Sequence, residues 1–149
     1  MQRTILSVLS LVIWLSSSFI ISQQAPPQEI KISPELKASI EKGKVIYESN
    51  CVSCHMPTGE GISGAFPPLA KSDYLMKDRE RSIRQTIFGV EGEIVVNGET
   101  YYGMMPPTGL NDEQVAHVLN YVRNTWGNSD PKLITKEEVA KVRAKGNNG

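Results

Sequence analysis

Cys51 and Cys54 stand three positions apart in the stretch CVSCHMPTG, and His55 follows the second directly. They are the only two cysteines of the chain, and His55 and His117 are its only histidines. Thiols at this spacing serve as a redox dithiol, as half of a zinc site, or as anchors for haem. A structural zinc site takes about four ligands. His117 lies about 200° around a helical wheel from Val115, off the apolar stripe and toward solvent, so zinc lacks a donor set. A thioredoxin-type dithiol needs a βαβ setting, which this sequence pattern does not offer. What remains is C-x-x-C-H, the attachment pattern of c-type haem. Two thioethers pin the porphyrin edge, and the adjacent imidazole then lies beneath the iron. Covalent attachment also retains haem in a domain too small to hold it by burial alone.

What fills the other face of the iron decides between passing electrons and binding small molecules. A thioether is a soft axial ligand that raises the reduction potential. Met104 and Met105 fall in YYGMMPPTG, a Gly/Pro loop in which methionines make poor core filler. Met56 is too close to His55 to reach the opposite face, and Met76 sits in a charged stretch. The competing reading is a haem sensor or haem enzyme with a displaceable sixth ligand. It needs a distal acid–base group, and only His117 is left for that.

Mostly helical patterns must position these groups. Ser33 and Pro34 open a helix in SPELKASIEKGKVIYESN, with Leu36, Ile40, Gly43 and Tyr47 along one stripe. A glycine inside a helix costs about 1 kcal/mol against alanine, but it lets another backbone come close. GISGAFPPLAKSDYL reads as loop. A short helix follows between Asp78 and Gly89, with Ile83, Ile87 and Phe88 inward. Asn97-Gly98 between β-prone residues marks a hairpin. The clearest helix starts at an Asn111/Gln114 capping box and runs to Gly127, with Val115, Val118, Leu119, Val122 and Trp126 on one face. In the tail ITKEEVAKVRAKG only Val139 and Val142 face inward, which predicts a short helix that docks weakly or frays.

Residues 1–22 carry one early charge, Arg3, and then an uncharged apolar run, the layout of an export signal. It is either cleaved or retained as an N-terminal membrane anchor. Residues 23–32 form a polar, proline-bearing linker. The net charge is zero, which gives no footprint for nucleic acid. Residues 33–127 hold nine Lys/Arg against twelve Asp/Glu, whereas residues 128–149 hold five against three, so a mildly acidic body carries a basic tail.

Together CVSCH, the Gly43/Tyr47 stripe, FPPLA, YYGMMPPTG and HVLNYVRNTWG resemble class I (monohaem) cytochrome c of the bacterial periplasmic type, over about residues 33–127. The resemblance implies an all-α cytochrome c fold of three to four helices around one covalent haem c and its iron. A short β-hairpin precedes the methionine loop, and residues 128–149 form a C-terminal extension with a short helix. Cys51 and Cys54 are implied as thioether anchors and His55 as one metal ligand. Methionine directly before proline makes Met105 the second ligand, with Met104 as the alternative. In FPPLA, Pro67 is implied as carbonyl acceptor for the His55 ring, ahead of Pro68, and Leu69 lines the pocket. Gly43 and Tyr47 are implied to cross Val118 and Tyr121, and Tyr101 or Tyr102 is a candidate to reach a haem propionate. The implied function is periplasmic electron transport rather than catalysis. Single electrons would pass between redox protein partners such as an oxidase, a reductase or a dehydrogenase, or within a larger complex that the tail docks into. A membrane enters only if the N-terminal segment is retained.

Overall fold

The computed structural model describes residues 32–147; the expected export segment and nearly all of the linker lie outside them. Among the described residues the chain forms six helices and one hairpin: α1 (Pro34–Asn50), α2 (Val52–His55), α3 (Asp73–Lys77), α4 (Arg79–Phe88), β1 (Val90–Val96), β2 (Glu99–Met105), α5 (Asp112–Val122) and α6 (Lys136–Lys145). Four of these are the helices expected from the apolar pattern. The other two are single turns, α2 on the cysteine motif and α3 inside the segment read as loop, where the Ser72 side chain caps Leu75 N. Runs of four and five residues are too short to carry a periodic signal.

α1 and α5 cross in the middle of the fold. A Cβ built on Gly43 would stand 2.6 Å from the His117 carbonyl carbon and 2.7 Å from Tyr121 Cβ, so only glycine fits. The atoms nearest that Cβ belong to His117 and to Tyr121, one of the two expected partners; Val118, the other, lines the central cavity. Beside the crossing, Tyr47, Tyr121 and Trp126 stack mutually, with ring centroids 4.9 to 5.5 Å apart. α5 ends at Val122, short of the expected Gly127, and Trp126 follows in a turn with φ of 52°.

α5 is buried almost all round, because α1, α4, α6 and the cavity each take a side. This changes the position of His117. It does not face solvent: its Nδ1 lies 2.7 Å from Ser39 Oγ on α1, and its Nε2 lies 3.5 Å from Glu113.

The tail does not fray. Val139 and Val142 are buried, and polar groups do most of the fastening. Asn120 on α5 donates to Ile134 O and Ser39 Oγ and accepts from Ile134 N. Arg79 binds Glu138 at 2.7 and 2.8 Å, Asp130 at 3.3 Å, and the carbonyls of Lys132 and Leu133. Arg123 reaches Asp130 at 2.8 Å and Leu75 O.

Burial tends to raise the Asp130 carboxyl, but the bonds and charge of Arg123 and Arg79 outweigh it and hold its pKa below the usual value. The Arg79 hydrogen bond likewise lowers Glu138. Both groups thus contribute stability above their unfolded pKa values, about 4, and lose it as the pH falls through the folded values. Asp130→Asn is expected to cost about 2–3 kcal/mol at pH 7, with two arginines left short of a charged partner. Urea unfolding followed by circular dichroism should find that difference at pH 7 and little of it near pH 2.

Candidate metal centre

The C-terminal end of α1 feeds directly into the cysteine turn. Cys51 caps α1, and the amides of Cys54 and His55 donate to Cys51 O at 3.2 and 3.0 Å. That single turn gathers both thiols and the imidazole at the floor of an apolar cavity of about 240 Å³. Both thiols are free and half-buried. Burial, followed by the neighbouring Cys54, pushes the Cys51 thiol up to about 11. The attacking cysteine of a redox dithiol is tuned the other way, toward the thiolate.

The His55 ring is oriented by the loop above it. Its Nδ1 donates to Pro67 O at 3.0 Å, which fixes the tautomer and leaves Nε2 with a free lone pair. Burial lowers the His55 pKa, against the raising effect of this bond, so the ring stays neutral. A neutral, anchored imidazole is the form that ligates a metal. The loop is held by Gly59 O, which accepts from Leu69 N at 2.7 Å and Ala70 N at 2.8 Å. Gly61 has φ of +64° and packs so closely that a Cβ there would stand 2.8 Å from the Pro67 carbonyl carbon. Pro67, Pro68 and Leu69 all line the cavity.

The hairpin forms the opposite wall. Asn97 and Gly98, with φ of 51° and 82°, make the two-residue turn that pins its register. Of β1, only the alternate residues Val90, Gly92, Ile94 and Val96 line the cavity. Their cross-strand partners are Met105, Gly103, Tyr101 and Glu99. Residues Tyr101 to Met105 of β2 all line the cavity; Met105, in the row of Val90, is partly buried, whereas Met104 pairs with Glu91 and is 69% exposed. Tyr101 is buried with its hydroxyl on Glu99, and Tyr102, paired with Glu93, is 69% exposed at the cavity rim. Met56 and Met76 do not line the cavity; Met76 packs against the core.

Two cavity-lining polar groups escaped the sequence reading. Gln85 Nε2 donates to the Tyr74 hydroxyl at 2.7 Å, and the Arg81 guanidinium stacks 3.7 Å from the centroid of the Tyr74 ring. No motif marks such a pair.

The donor set and cavity suit a large, flat, metal-bearing macrocycle. Gly92 and Gly103 face each other in register, and a Cβ on either would meet nothing within 4 Å, so the wall there is bare backbone beside open space. Two thiols on one side, a free imidazole nitrogen on the floor, a thioether from the far wall and aliphatic walls match covalent haem.

Comparison with known proteins reaches the same chemistry. The sequence model of the family described as cytochrome c matches residues 40–126. Cytochrome c-552 of Thermus thermophilus is 42% identical over 112 residues, covering 69% of this chain and 85% of that protein. The cytochrome c subunit of a quinone alcohol dehydrogenase from Gluconobacter oxydans is 28% identical, covering 70% of this chain but 22% of that subunit. The FixP subunit of a cbb3-type cytochrome c oxidase from Sinorhizobium medicae is 34% identical, covering 72% of this chain and 38% of that subunit.

Proposed function

From the premise that this chain belongs to the cytochrome c family and carries one covalently bound c-type haem, we propose that it is an exported electron carrier whose iron is held between His55 and Met105. The bound haem iron supplies a reversible one-electron couple between its ferric and ferrous forms. Cys51 and Cys54 hold the group in place as thioethers and are consumed in doing so. His55 offers Nε2, with Pro67 O keeping the ring from rotating. Met105 approaches from the hairpin, and the aliphatic walls of the cavity exclude water.

The observation that carries the reading is the pair of methionines on the cavity wall opposite His55; both line the cavity, and the register, which sets partly buried Met105 in the row of Val90 and leaves Met104 69% exposed, favours Met105. His55 and Met105 would together supply the iron with two protein ligands, an arrangement that would favour passing electrons over binding substrates. Export, to the periplasm or to the outer side of the membrane, is supported by the apolar run in residues 1–22. The partners are redox proteins. Relatives named as subunits of a dehydrogenase and an oxidase favour an oxidoreductase on one side of the exchange.

Carbon monoxide separates this reading from a haem sensor or enzyme. The ferrous protein, matured with its haem and exposed to CO at neutral pH, is expected to keep its absorption spectrum over minutes. Rapid formation of a carbonyl complex would instead mean a vacant or displaceable sixth position.

A further inference from the structure

The outer row of the hairpin is largely exposed among the described residues, with α4 beside only its Glu91–Met104 end. Glu91, Glu93 and Val95 of β1 stand opposite Met104, Tyr102 and Thr100 of β2. Tyr102 and Met104 are 69% exposed and Val95 is 49% exposed. The solvent side of an antiparallel pair ordinarily carries polar residues, yet here an aromatic ring, a thioether and a branched aliphatic are presented to water. Glu91 and Glu93 give the patch an acidic β1 side, while Glu99 lies in the other row with its carboxylate on Ser63 and Tyr101, and Arg81 and Arg84 of α4 flank only the Glu91–Met104 end. Exposed apolar patches with polar rims mark interaction sites, and aromatic residues and methionine are enriched at the centres of interfaces. The wall between this patch and the cavity is one strand layer thick, and at the Gly92–Gly103 pair it carries no side chains.

We infer that this outer face is a docking surface for a redox protein whose own contact surface is apolar at its centre and rimmed by lysine or arginine. The inference rests on the electron-carrier reading and places one approach to the haem at the hairpin wall of the cavity. Glu91 and Glu93 steer the encounter with a basic rim. Tyr102 and its neighbours provide the dry contact, and the small area keeps the complex short-lived.

Voltammetry on gold films imitates such a partner. The haem-loaded full chain is placed on a mixed film of methyl- and ammonium-terminated thiols. Electron exchange there is expected to be about tenfold faster than on a methyl- and carboxylate-terminated film at low salt, with the difference shrinking as salt is added. Glu91→Lys combined with Glu93→Lys should reverse the preference. Val95→Ser, on the same row but not lining the cavity, should slow exchange on the ammonium film several-fold, with spectrum and reduction potential as in the wild type. Wild-type rates in both variants would overturn the docking face. A chain with no reversible wave on any film would overturn the electron-carrier reading beneath it.

Discussion

Gly43→Val is expected to destabilise the haem-loaded protein by about 3 kcal/mol or more, a large share of the roughly 5–15 kcal/mol that holds a domain folded. The glycine lies where two helix backbones meet, and the atoms a new Cβ would strike are the His117 carbonyl and Tyr121 Cβ. Neither is the free end of a flexible side chain. α1 would have to lift away from α5, opening the Tyr47–Tyr121–Trp126 stack and pulling the cysteine turn off its seat. Denaturant unfolding of the variant should show the loss directly. Val45→Ala on the exposed side of the same helix, 63% exposed, should stay within about 0.5 kcal/mol of wild type.

The second large effect concerns the thiols. Cys51→Ala combined with Cys54→Ala is expected to leave no haem on the chain after denaturation, read as the mass of the bare polypeptide by mass spectrometry. Without haem the fold keeps an apolar cavity of about 240 Å³. At about 24 cal/mol per Å³ such a void costs at most about 6 kcal/mol, comparable to the stability of the whole domain. The double variant should therefore also lose most of its helical circular dichroism. Retention of full helicity without haem would mean that the walls close on themselves, and that the group is cargo rather than core.

The cysteine motif was legible because its chemistry is contiguous: three side chains within one turn announce themselves whatever the fold around them. The two-residue hairpin turn was legible for the same reason, since Asn97-Gly98 is a local preference for positive φ. Misreadings came where long-range polar contacts decide. His117 sits off the apolar stripe of its helix, yet α5 is buried almost all round beyond its first turn, and a hydrogen bond to Ser39 draws the ring onto α1. The tail has only two inward valines, but Arg79, Asn120 and Arg123 are anchors that hydrophobic periodicity does not count. The resemblance to class I cytochrome c pointed to Pro67 as partner of the His55 ring, and the 3.0 Å contact lies there. It named Tyr121 as a crossing partner, and Tyr121 Cβ lies against Gly43.

Choosing between adjacent methionines from composition was not possible. Side chains along a strand alternate in direction, so a shift of one residue moves a group to the other face. Both methionines line the cavity, and the register of Val90 with Met105, set by the tight turn at the far end of the hairpin, favours the partly buried Met105. Met105→Ala should accordingly lower the reduction potential by a sizeable part of the roughly 0.8 V range that axial ligands command.

The most direct measurement is the weak far-red absorption of the ferric protein, which reports a sulfur atom bound to the haem iron. Wild type and Met104→Ala are expected to show the band, and Met105→Ala to lack it. A wild type without the band, or a band that survives Met105→Ala and vanishes in Met104→Ala, would contradict ligation by His55 and Met105.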